Sequence, residues 1–273
     1  MPIYIKRLAD DGTNARPVVR EIRKTRTTAV IDGDNALGHL VGVRAMQVAI
    51  DKTSDGNCVF VAVRNSNHFG AAAYYAEMAA QREMIGLVFT IGAINHMAPW
   101  GGAEAVLGNN PFAIAFPTPG DFPIVLDMAC SVAARGKIIV AAKEGKPIHG
   151  DWANGPDRLP TTSAAEALKG FVIRVGGPKG YALTLTIGLL STMLSGAFFG
   201  RDVGDLYEET TEPHNSGHLF GVLPVAAFDE PASYAARVQK AINDIRSVEK
   251  APGVEKIFLP GERESLAKMV QLS

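Results

Sequence analysis

A histidine in a short polar peptide is the strongest candidate for chemistry in this sequence. His68 lies in Asn65–Gly70, between an apolar run and an alanine-rich segment. A strand that ends in a polar turn exposes side chains in a crevice, and an imidazole there can exchange protons near neutral pH. In a purely structural alternative, Ser66 or Asn67 caps a helix over 70–82 and His68 is hydrogen-bonded in its first turn. Taken alone, the peptide favours this alternative, because turns rich in Asn and Ser are common.

Two peptides in the C-terminal half are candidates for holding a nucleotide. Neither Gly-x-Gly-x-x-Gly after a strand nor Gly-x-x-x-x-Gly-Lys-Ser/Thr occurs, so an ordinary Rossmann domain is not expected. Gly176–Gly180 instead offers free backbone amides and the Lys179 cation at the start of a predicted helix, a combination that can bind an anion. Leu259–Arg263 contains Glu262, which could accept hydrogen bonds from ribose hydroxyls. A simple turn is an equal alternative for the first peptide and the commoner one for the second.

The elements that must position these residues alternate between strands and helices in the N-terminal half. This order is typical of an α/β fold with locally parallel or mixed strand pairing. Later apolar runs broken by Gly and Pro suit a sheet covered on both faces. The charged run 20–26 is expected to form a solvated edge strand, and 145–162 a long ordered loop. The predicted strands are 27–31, 59–63, 85–91, 112–116, 124–128 and 219–228, and the predicted helices are 42–52, 70–82, 131–142, 180–200 and 231–246.

Composition and charge exclude several classes of partner. Of the 273 residues, 47% are hydrophobic and the net charge is −1, which indicates a globular protein without affinity for nucleic acid or an anionic membrane surface. Cys58 and Cys130 have no second thiol near them in sequence, and no metal-ligand motif occurs, so neither a disulfide framework nor a metal site is expected. Because no secretory signal is visible, the cytoplasm is the expected location.

The uncharged stretch 180–200 is long enough to span a bilayer. Its Thr, Ser and Gly residues lower its hydrophobicity, however, and no second such stretch occurs. A helix buried on all sides in a large core is therefore the favoured interpretation, with a membrane span as the alternative.

Seven short motifs, in order along almost the whole chain, resemble the malate/L-lactate dehydrogenase family. They are Ser66–Gly70, Met97–Gly102, Gly108–Pro111, Leu126–Ala129, Arg135–Lys137, Gly176–Tyr181 and Leu259–Glu262. Members of this family are NAD(P)-dependent oxidoreductases of 2-hydroxy acids and cyclic imines. The resemblance implies an α/β fold with a mixed, non-Rossmann nicotinamide-binding sheet, and a homodimer whose active site lies between domains.

The resemblance also implies roles for individual residues. His68 matches the family's proton donor or acceptor for a small carboxylate substrate, and Gly92 replaces a serine that some members place beside the nicotinamide. Two domains are expected: 1–117 with 232–273, which carries His68, and 118–231, which binds the cofactor. The residues expected to contact NAD or NADP are Asp127, Met128, Ala129, Lys179, Gly180, Pro260, Gly261 and Glu262.

The sequence departs from the family pattern at both ends. The family's Ser-His-Gly-x-x-Arg segment, which supplies a second histidine and a carboxylate-binding arginine, does not occur ahead of Met1–Tyr4, and the C-terminal end looks shorter. Arg64 and His96 are conceivable replacements for this arginine, although we expect Arg64 to pair with a carboxylate and His96 to lie in a solvated loop. The prediction is a metal-free 2-hydroxyacid or cyclic-imine oxidoreductase. A truncated, catalytically silent cofactor- or partner-binding protein is the alternative.

Overall fold

A mixed β-sheet forms the centre of the computed structural model, which describes residues 2–272 and the side chains of residues 2–270. The strands are β1 (Arg20–Lys24), β2 (Thr28–Asp32), β3 (Val59–Ser66), β4 (Met84–Thr90), β5 (Phe112–Phe116), β6 (Ile124–Met128), β7 (Ala153–Asn154), β8 (Phe171–Val172) and β9 (Ser216–Pro224). The helices are α1 (Pro2–Ala9), α2 (Gly38–Asp51), α3 (Ala72–Ala80), α4 (Arg135–Lys143), α5 (Ala164–Lys169), α6 (Pro178–Thr192), α7 (Pro231–Ser247) and α8 (Glu262–Leu272).

Strand β9 lies in the middle of the sheet although it is the last strand of the chain. The sheet has the order β1-β2-β3-β9-β4-β5-β6, and β7 and β8 form a separate pair. Helix α2 connects strands β2 and β3, which pair directly and in parallel, whereas the other neighbouring strands are antiparallel. The predicted mixed α/β sheet is therefore confirmed. Strand β9 separates β3 from β4, which follow each other in the sequence.

Alternation of side chains along the strands gives the sheet two covered faces. Val61 and Val63 of β3 share one buried cluster with Phe220 of β9, Met46 of α2 and Tyr75 of α3. Since neighbouring residues of a strand point to opposite faces, the alternate residues of β3 and β9 face α6, which contacts β3, β4 and β9. The central strands are thus fixed between helices, and the loops at their ends are free to form a site.

Helix α6 differs from its prediction in length and in burial. It ends at Thr192 rather than at 200, and beside its buried Thr184 and Ser191 it exposes apolar side chains, with Leu189 40% and Leu190 38% exposed. The expectation of a helix buried on all sides is therefore wrong. Among the helices within residues 2–272, none combines the length and the apolar composition needed to cross a membrane.

Other parts of the chain agree with the predictions or leave them open. The charged run 20–26 forms β1, whose five residues are all exposed at the edge of the sheet, and the segment 145–162 is irregular apart from the two residues of β7. A second hydrophobic cluster joins α4 and α5 to β7 and β8. Strands β6 and β9, which lie in the predicted domain 118–231, belong to the main sheet. The sheet therefore crosses the expected boundaries, and the division into two domains stays a prediction.

Candidate active site

A cavity of about 190 Å³ opens at the ends of β3 and β4 and the start of β5. It combines apolar side chains with a few polar groups, as is usual for small-ligand sites. Its lining includes His68, Phe69, Gly70, Thr90, Ile91, Gly92, His96, Asn109, Arg135 and Tyr207. Within the side chains that the structure describes, no group of three His, Cys, Asp or Glu residues is placed to hold a metal ion.

The loop that carries His68 is held by buried polar contacts. The amide of Asn67, which is 3% exposed, donates a hydrogen bond of 2.9 Å to the carbonyl oxygen of Ala36. Helix α3 begins only at Ala72, and its N-cap residue provides no side-chain hydrogen bond. The alternative in which Ser66 or Asn67 caps this helix is therefore wrong, and His68 lies in the loop before the helix.

The imidazole of His68 is held by Tyr4 of α1. Tyr4 Oη lies 2.6 Å from His68 Nδ1, and the two rings stack with their centroids 6.0 Å apart. The backbone N–H of Gly70 donates a longer hydrogen bond of 3.4 Å to the same Nδ1. No partner from the described residues reaches Nε2, which leaves this nitrogen for a ligand in the cavity.

The environment of His68 keeps its ring neutral at pH 7. Its pKa is lowered to about 4, chiefly because burial disfavours the imidazolium and secondarily because His39 is near. A neutral imidazole carries its hydrogen on one nitrogen and a free lone pair on the other. In the tautomer whose Nδ1–H donates to Tyr4 Oη, the long contact from Gly70 is given up and the lone pair lies on Nε2. The ring can then take a proton from a ligand.

A second buried histidine, His218 of β9, supports this loop. The register of the sheet places it opposite Thr90 of β4. Its Nδ1 lies 2.6 Å from Thr90 Oγ1 and its Nε2 lies 2.9 Å from Ser66 Oγ, while its ring stacks on Phe69 with centroids 4.5 Å apart. Burial and, to a smaller extent, His68 lower the pKa of His218 to about 3. Because both ring nitrogens have partners, His218 positions the loop and is not itself available to a ligand.

Arg7 connects helix α1 to the site. Its side chain is 1% exposed, and its guanidinium donates to three backbone carbonyl groups and to Asn67 Oδ1. These bonds satisfy a buried charge that would otherwise be costly. Because Tyr4 lies on the same helix, Arg7 also fixes the Tyr4 hydroxyl beside His68.

The loop after β4 forms another part of the cavity wall. The backbone N–H of Gly92 donates to Asn110 Oδ1 at 3.0 Å. A Cβ atom at Gly92 would lie 2.9 Å from Asn109 Oδ1 and 3.0 Å from the Cα of Gly108. A serine at this position would therefore displace its neighbours, and glycine is the residue that fits.

The two candidate replacements for the family arginine behave differently. Arg64 pairs with Asp32 at 3.0 Å, which confirms the expected carboxylate partner. His96 is only 4% exposed and lines the cavity that contains His68. The expectation that His96 lies in a solvated loop is therefore wrong.

Two of the three peptides expected to bind the cofactor meet at a second cavity, of about 300 Å³. Asp127 of β6 lines it together with Pro260 and Gly261, which precede α8. Met128 and Ala129 are half-buried beside Asp127 and lie outside this lining. The roles of these residues toward a cofactor stay predictions.

Three carboxylates line the second cavity. Glu77 and Glu264 line it together with Asp127. Partial burial raises the pKa of Asp127, and repulsion from the two glutamates raises it further. A hydrogen bond that Asp127 accepts from the backbone N–H of Ala73 acts in the opposite direction and lowers this pKa. The cavity therefore favours hydrogen-bond donors over anions.

The third cofactor peptide starts helix α6. Gly176 and Gly177 both have a φ of 60°, and Lys179 is exposed in the first turn. A Cβ atom on Gly180 would lie 1.7 Å from the carbonyl oxygen of Val175, so close packing requires glycine there. Neither Lys179 nor Gly180 lines the two cavities described above, and their contact with phosphate stays a prediction.

Glu262 has internal partners for its carboxylate. It is 2% exposed, accepts a hydrogen bond from the backbone N–H of Leu259 at 3.0 Å, and pairs with Arg246 at 3.1 Å and Lys256 at 2.6 Å. Burial acts to raise its pKa, but these partners lower it to about 2. Glu262 thus anchors the start of α8, and its expected contact with a ribose stays a prediction.

Three residues of the site were not identified from the sequence: Tyr4, Arg7 and His218. The Tyr4–His68 hydrogen bond joins residues 64 positions apart, and Arg7 and His218 act through buried contacts with still more distant segments. Local patterns carry no signal for such contacts. The only available sign was the Pro-x-Tyr peptide at the start of the chain, which matches a stretch in the family.

Comparison with known proteins identifies the family. The family model for malate/L-lactate dehydrogenase matches residues 1–272. The L-sulfolactate dehydrogenase of Methanocaldococcus jannaschii is 40% identical over 271 residues, which cover 98% of this chain and 76% of that protein. The malate dehydrogenase of Pyrococcus horikoshii is 38% identical over 277 residues, which cover 98% of this chain and 76% of that protein.

Solved structures agree with the sequence matches. The structure of sulfolactate dehydrogenase from Methanocaldococcus jannaschii superposes with a TM-score of 0.90 at 39% identity, covering 98% of this chain and 77% of that chain. Malate dehydrogenase from Entamoeba histolytica gives a TM-score of 0.89 at 32% identity, covering 97% of this chain and 77% of that chain. The chain therefore belongs to the malate/L-lactate dehydrogenase family.

Proposed function

We propose that this protein transfers a hydride between NAD(P)(H) and C2 of a small 2-hydroxy or 2-oxo acid, or of a cyclic imine acid, with His68 as the proton-exchanging group. One observation carries the proposal: Tyr4 holds Nδ1 of His68 at 2.6 Å, and the other ring nitrogen is left for the cavity. The proposal is supported by the relatives, which are named malate and sulfolactate dehydrogenases.

The protonation state of His68 suits oxidation of a hydroxy acid. The bound nicotinamide would supply the acceptor or donor of the hydride. In oxidation, neutral His68 takes the hydroxyl proton at Nε2 while the C2–H bond breaks, and the positive charge that forms on the ring is stabilised through Nδ1–H by Tyr4. In reduction the protonated ring returns this proton to the oxygen or nitrogen on C2. Each direction therefore transfers one hydride and one proton.

The residues that would hold the cofactor fit a dinucleotide with free ribose hydroxyls. Gly261 lines the second cavity; its φ of 83° and its close packing, which would place a Cβ atom 2.9 Å from Val125 Cβ, require glycine there. The carboxylates of Asp127 and Glu264 would accept hydrogen bonds from hydroxyl groups and repel a 2′-phosphate. We therefore propose that NAD is bound in preference to NADP. NADH and NADPH titrations monitored by fluorescence test this, and equal dissociation constants would contradict it.

A second copy of this chain is the proposed partner. Apolar side chains are exposed along the C-terminal part of α6 and the strand beside it, and patches of this kind mark interaction sites. The main members of this patch are Phe60, Leu189, Leu190, Met193 and Leu194, with exposures of 38–63%. We expect sedimentation to show a homodimer, and Leu194→Glu to shift the equilibrium toward monomer.

The cytoplasm is the proposed location. Cys58 and Cys130 are free thiols, which is usual for proteins of a reducing compartment. Fractionation of cells that produce the protein tests this proposal.

A turnover assay with a matched variant tests the central proposal. Purified protein is assayed for NADH oxidation with pyruvate, oxaloacetate and piperideine-2-carboxylate, and for NAD reduction with L-malate and L-lactate. We expect His68→Ala to lower kcat by about 10²–10⁴-fold while the Kd of NADH is retained. His149→Ala, at an exposed position that lines neither cavity, is the control.

Two results would contradict the proposal. Unchanged turnover by His68→Ala would remove the role of this histidine. Tight binding of NADH without turnover of any of these acids would favour the catalytically silent, cofactor-binding alternative.

A further inference from the structure

His96 is a buried polar side chain without a partner in the wall of the active-site cavity. It lies between β4 and β5 and is 4% exposed, and neither Nδ1 nor Nε2 has a partner at full hydrogen-bond geometry within the described residues. The backbone of Ile94 is a polar group near the ring, and it acts weakly to raise the pKa of His96. A neutral imidazole has one donor and one acceptor, and leaving such groups unpaired in a protein interior is costly. Because the ring lines the same cavity as His68, a ligand bound there could supply the missing partner.

A positively charged surface lies beside His96. Arg135 lines the cavity together with Ala134 and Gly136, and its charge contributes to lowering the pKa of His96, after burial, to about 4. One guanidinium nitrogen donates to the carbonyl oxygen of Leu168 at 3.2 Å. Among the described residues no carboxylate forms an ion pair with Arg135, so part of its donor capacity remains for a ligand.

The start of helix α4 adds to this surface. The helix has nine residues and begins at Arg135, and its N-cap Ala134 offers no side-chain hydrogen bond. Gly136 in its first turn has no side chain, and nothing lies within 4 Å of a Cβ atom built there. The first backbone N–H groups of a helix favour negatively charged groups. A cation, a helix N-terminus and an unpaired imidazole therefore meet at one part of the cavity.

We propose that His96, Arg135 and the N-terminus of α4 form an anion subsite that binds the second acidic group of the substrate, a carboxylate or sulfonate, while His68 meets its hydroxyl group. This inference rests on the proposed function and specifies its substrate class as 2-hydroxy acids with a distal anionic group. Arg135 supplies charge, and His96 supplies a hydrogen bond that a substrate without the distal group would leave unmade. Discrimination by unpaired buried groups of this kind is strong.

Binding measurements separate this proposal from the catalytic one, because they need no turnover. The Kd of NADH is measured first, and the Kd values of L-malate and L-lactate are then measured by calorimetry on the protein saturated with NADH. These acids differ in the distal carboxylate. We expect the wild type to bind malate more tightly. His96→Phe and Arg135→Gln should each raise the Kd of malate about tenfold to hundredfold, with the Kd values of lactate and NADH unchanged.

Two further variants control for structural damage. Lys143→Gln removes a cation from an exposed position in the last turn of the same helix, outside the cavity lining, and should change none of the three constants. His96→Asn keeps an N–H donor and should recover part of the malate affinity that His96→Phe loses.

Each remaining outcome would overturn the inference. Equal Kd values of malate and lactate in the wild type, or equal losses for both acids in the variants, would refute the subsite while leaving the proposed function intact. A rise in the Kd of NADH in His96→Phe or Arg135→Gln would assign the anion to the cofactor instead. Failure of the wild type to bind either acid would refute the subsite and the proposed substrate class together.

Discussion

Replacing Tyr4 by phenylalanine isolates the contribution of one hydroxyl group to proton transfer. Tyr4 Oη is the partner of His68 Nδ1 at 2.6 Å, and Tyr4 is not part of the cavity lining. The phenylalanine ring keeps the stacking on His68 and loses only the hydrogen bond. We therefore expect the substrate KM to be retained and kcat to fall.

The size of this effect follows from the charge that forms on the ring. Hydrogen bonds to charged groups contribute about 1.5–3 kcal/mol, and 1.4 kcal/mol corresponds to about tenfold in rate. Because the bond is most valuable when His68 becomes an imidazolium, its loss falls mainly on the transition state. Tyr4→Phe should lower kcat for hydroxy-acid oxidation by about tenfold to hundredfold.

The pH profile provides a second readout that a merely structural change would not move. The acid limb of kcat/KM for oxidation reports the pKa of His68 in the free enzyme, which is about 4. Removing the acceptor of Nδ1–H disfavours the imidazolium, so the acid limb should move to lower pH. Tyr74→Phe, at a side chain 57% exposed on α3, is the control. Equal kcat values and coincident profiles for Tyr4→Phe and the wild type would refute this account of His68.

Three further predictions use other parts of the structure. The pKa values of His68 and His218, about 4 and 3, lie below the unfolded value of 6.5. The unfolded chain therefore binds more protons below pH 6.5. The free energy of unfolding, measured with urea, should be at its full value above pH 6.5 and should fall by several kcal/mol toward pH 4, at about 1.4 kcal/mol per pH unit for each group. A free energy of unfolding that stays constant over this range would contradict the burial of these two residues as neutral rings. Gly92→Ser should destabilise the fold by about 1–3 kcal/mol because its Cβ meets Asn109, and an unchanged melting temperature would contradict this. Lys179→Ala should raise the Kd of NADH about tenfold, whereas an unaltered Kd in a fluorescence titration would remove Lys179 from the phosphate site.

The parts of the fold that sequence patterns predicted are those governed by local periodicity. The strand 124–128 and the amphipathic helix beginning at 231 were located closely, because apolar alternation and a proline at the helix start act over few residues. The central position of β9 was not predicted, since it depends on pairing with strands more than a hundred residues away. Helix α6 was mistaken for a fully buried helix because a run without charges looks the same whether it faces a core or an exposed apolar patch.

The candidate site shows the same division between local and long-range information. His68 was identified from its peptide and from its match to the family, and it lies in a cavity. The burial of His96 was not predicted, because a polar loop sequence does not show its long-range contacts. The backbone of His96 is hydrogen-bonded to Leu107 and Val172, and these bonds hold its ring in the interior. Tyr4 was missed because nothing near it in the sequence shows that α1 lies against the loop after β3.

The insertion of β9 between β3 and β4 gives a physical reason why, under the proposed function, proton transfer by His68 would depend on a bound substrate. The strand places the ring of His218 beneath the loop, where it contacts Ser66 and Thr90. Burial and, to a smaller extent, His68 lower the pKa of His218, so the two imidazoles are close enough to interact. A charge on His68 would therefore lie buried near a second imidazole, without a carboxylate partner among the described residues. Uptake of a proton becomes favourable only when the hydroxyl oxygen of a substrate takes on negative charge beside Nε2. The topology thus keeps the ring neutral at rest, and under the proposed function it would couple protonation of His68 to hydride transfer.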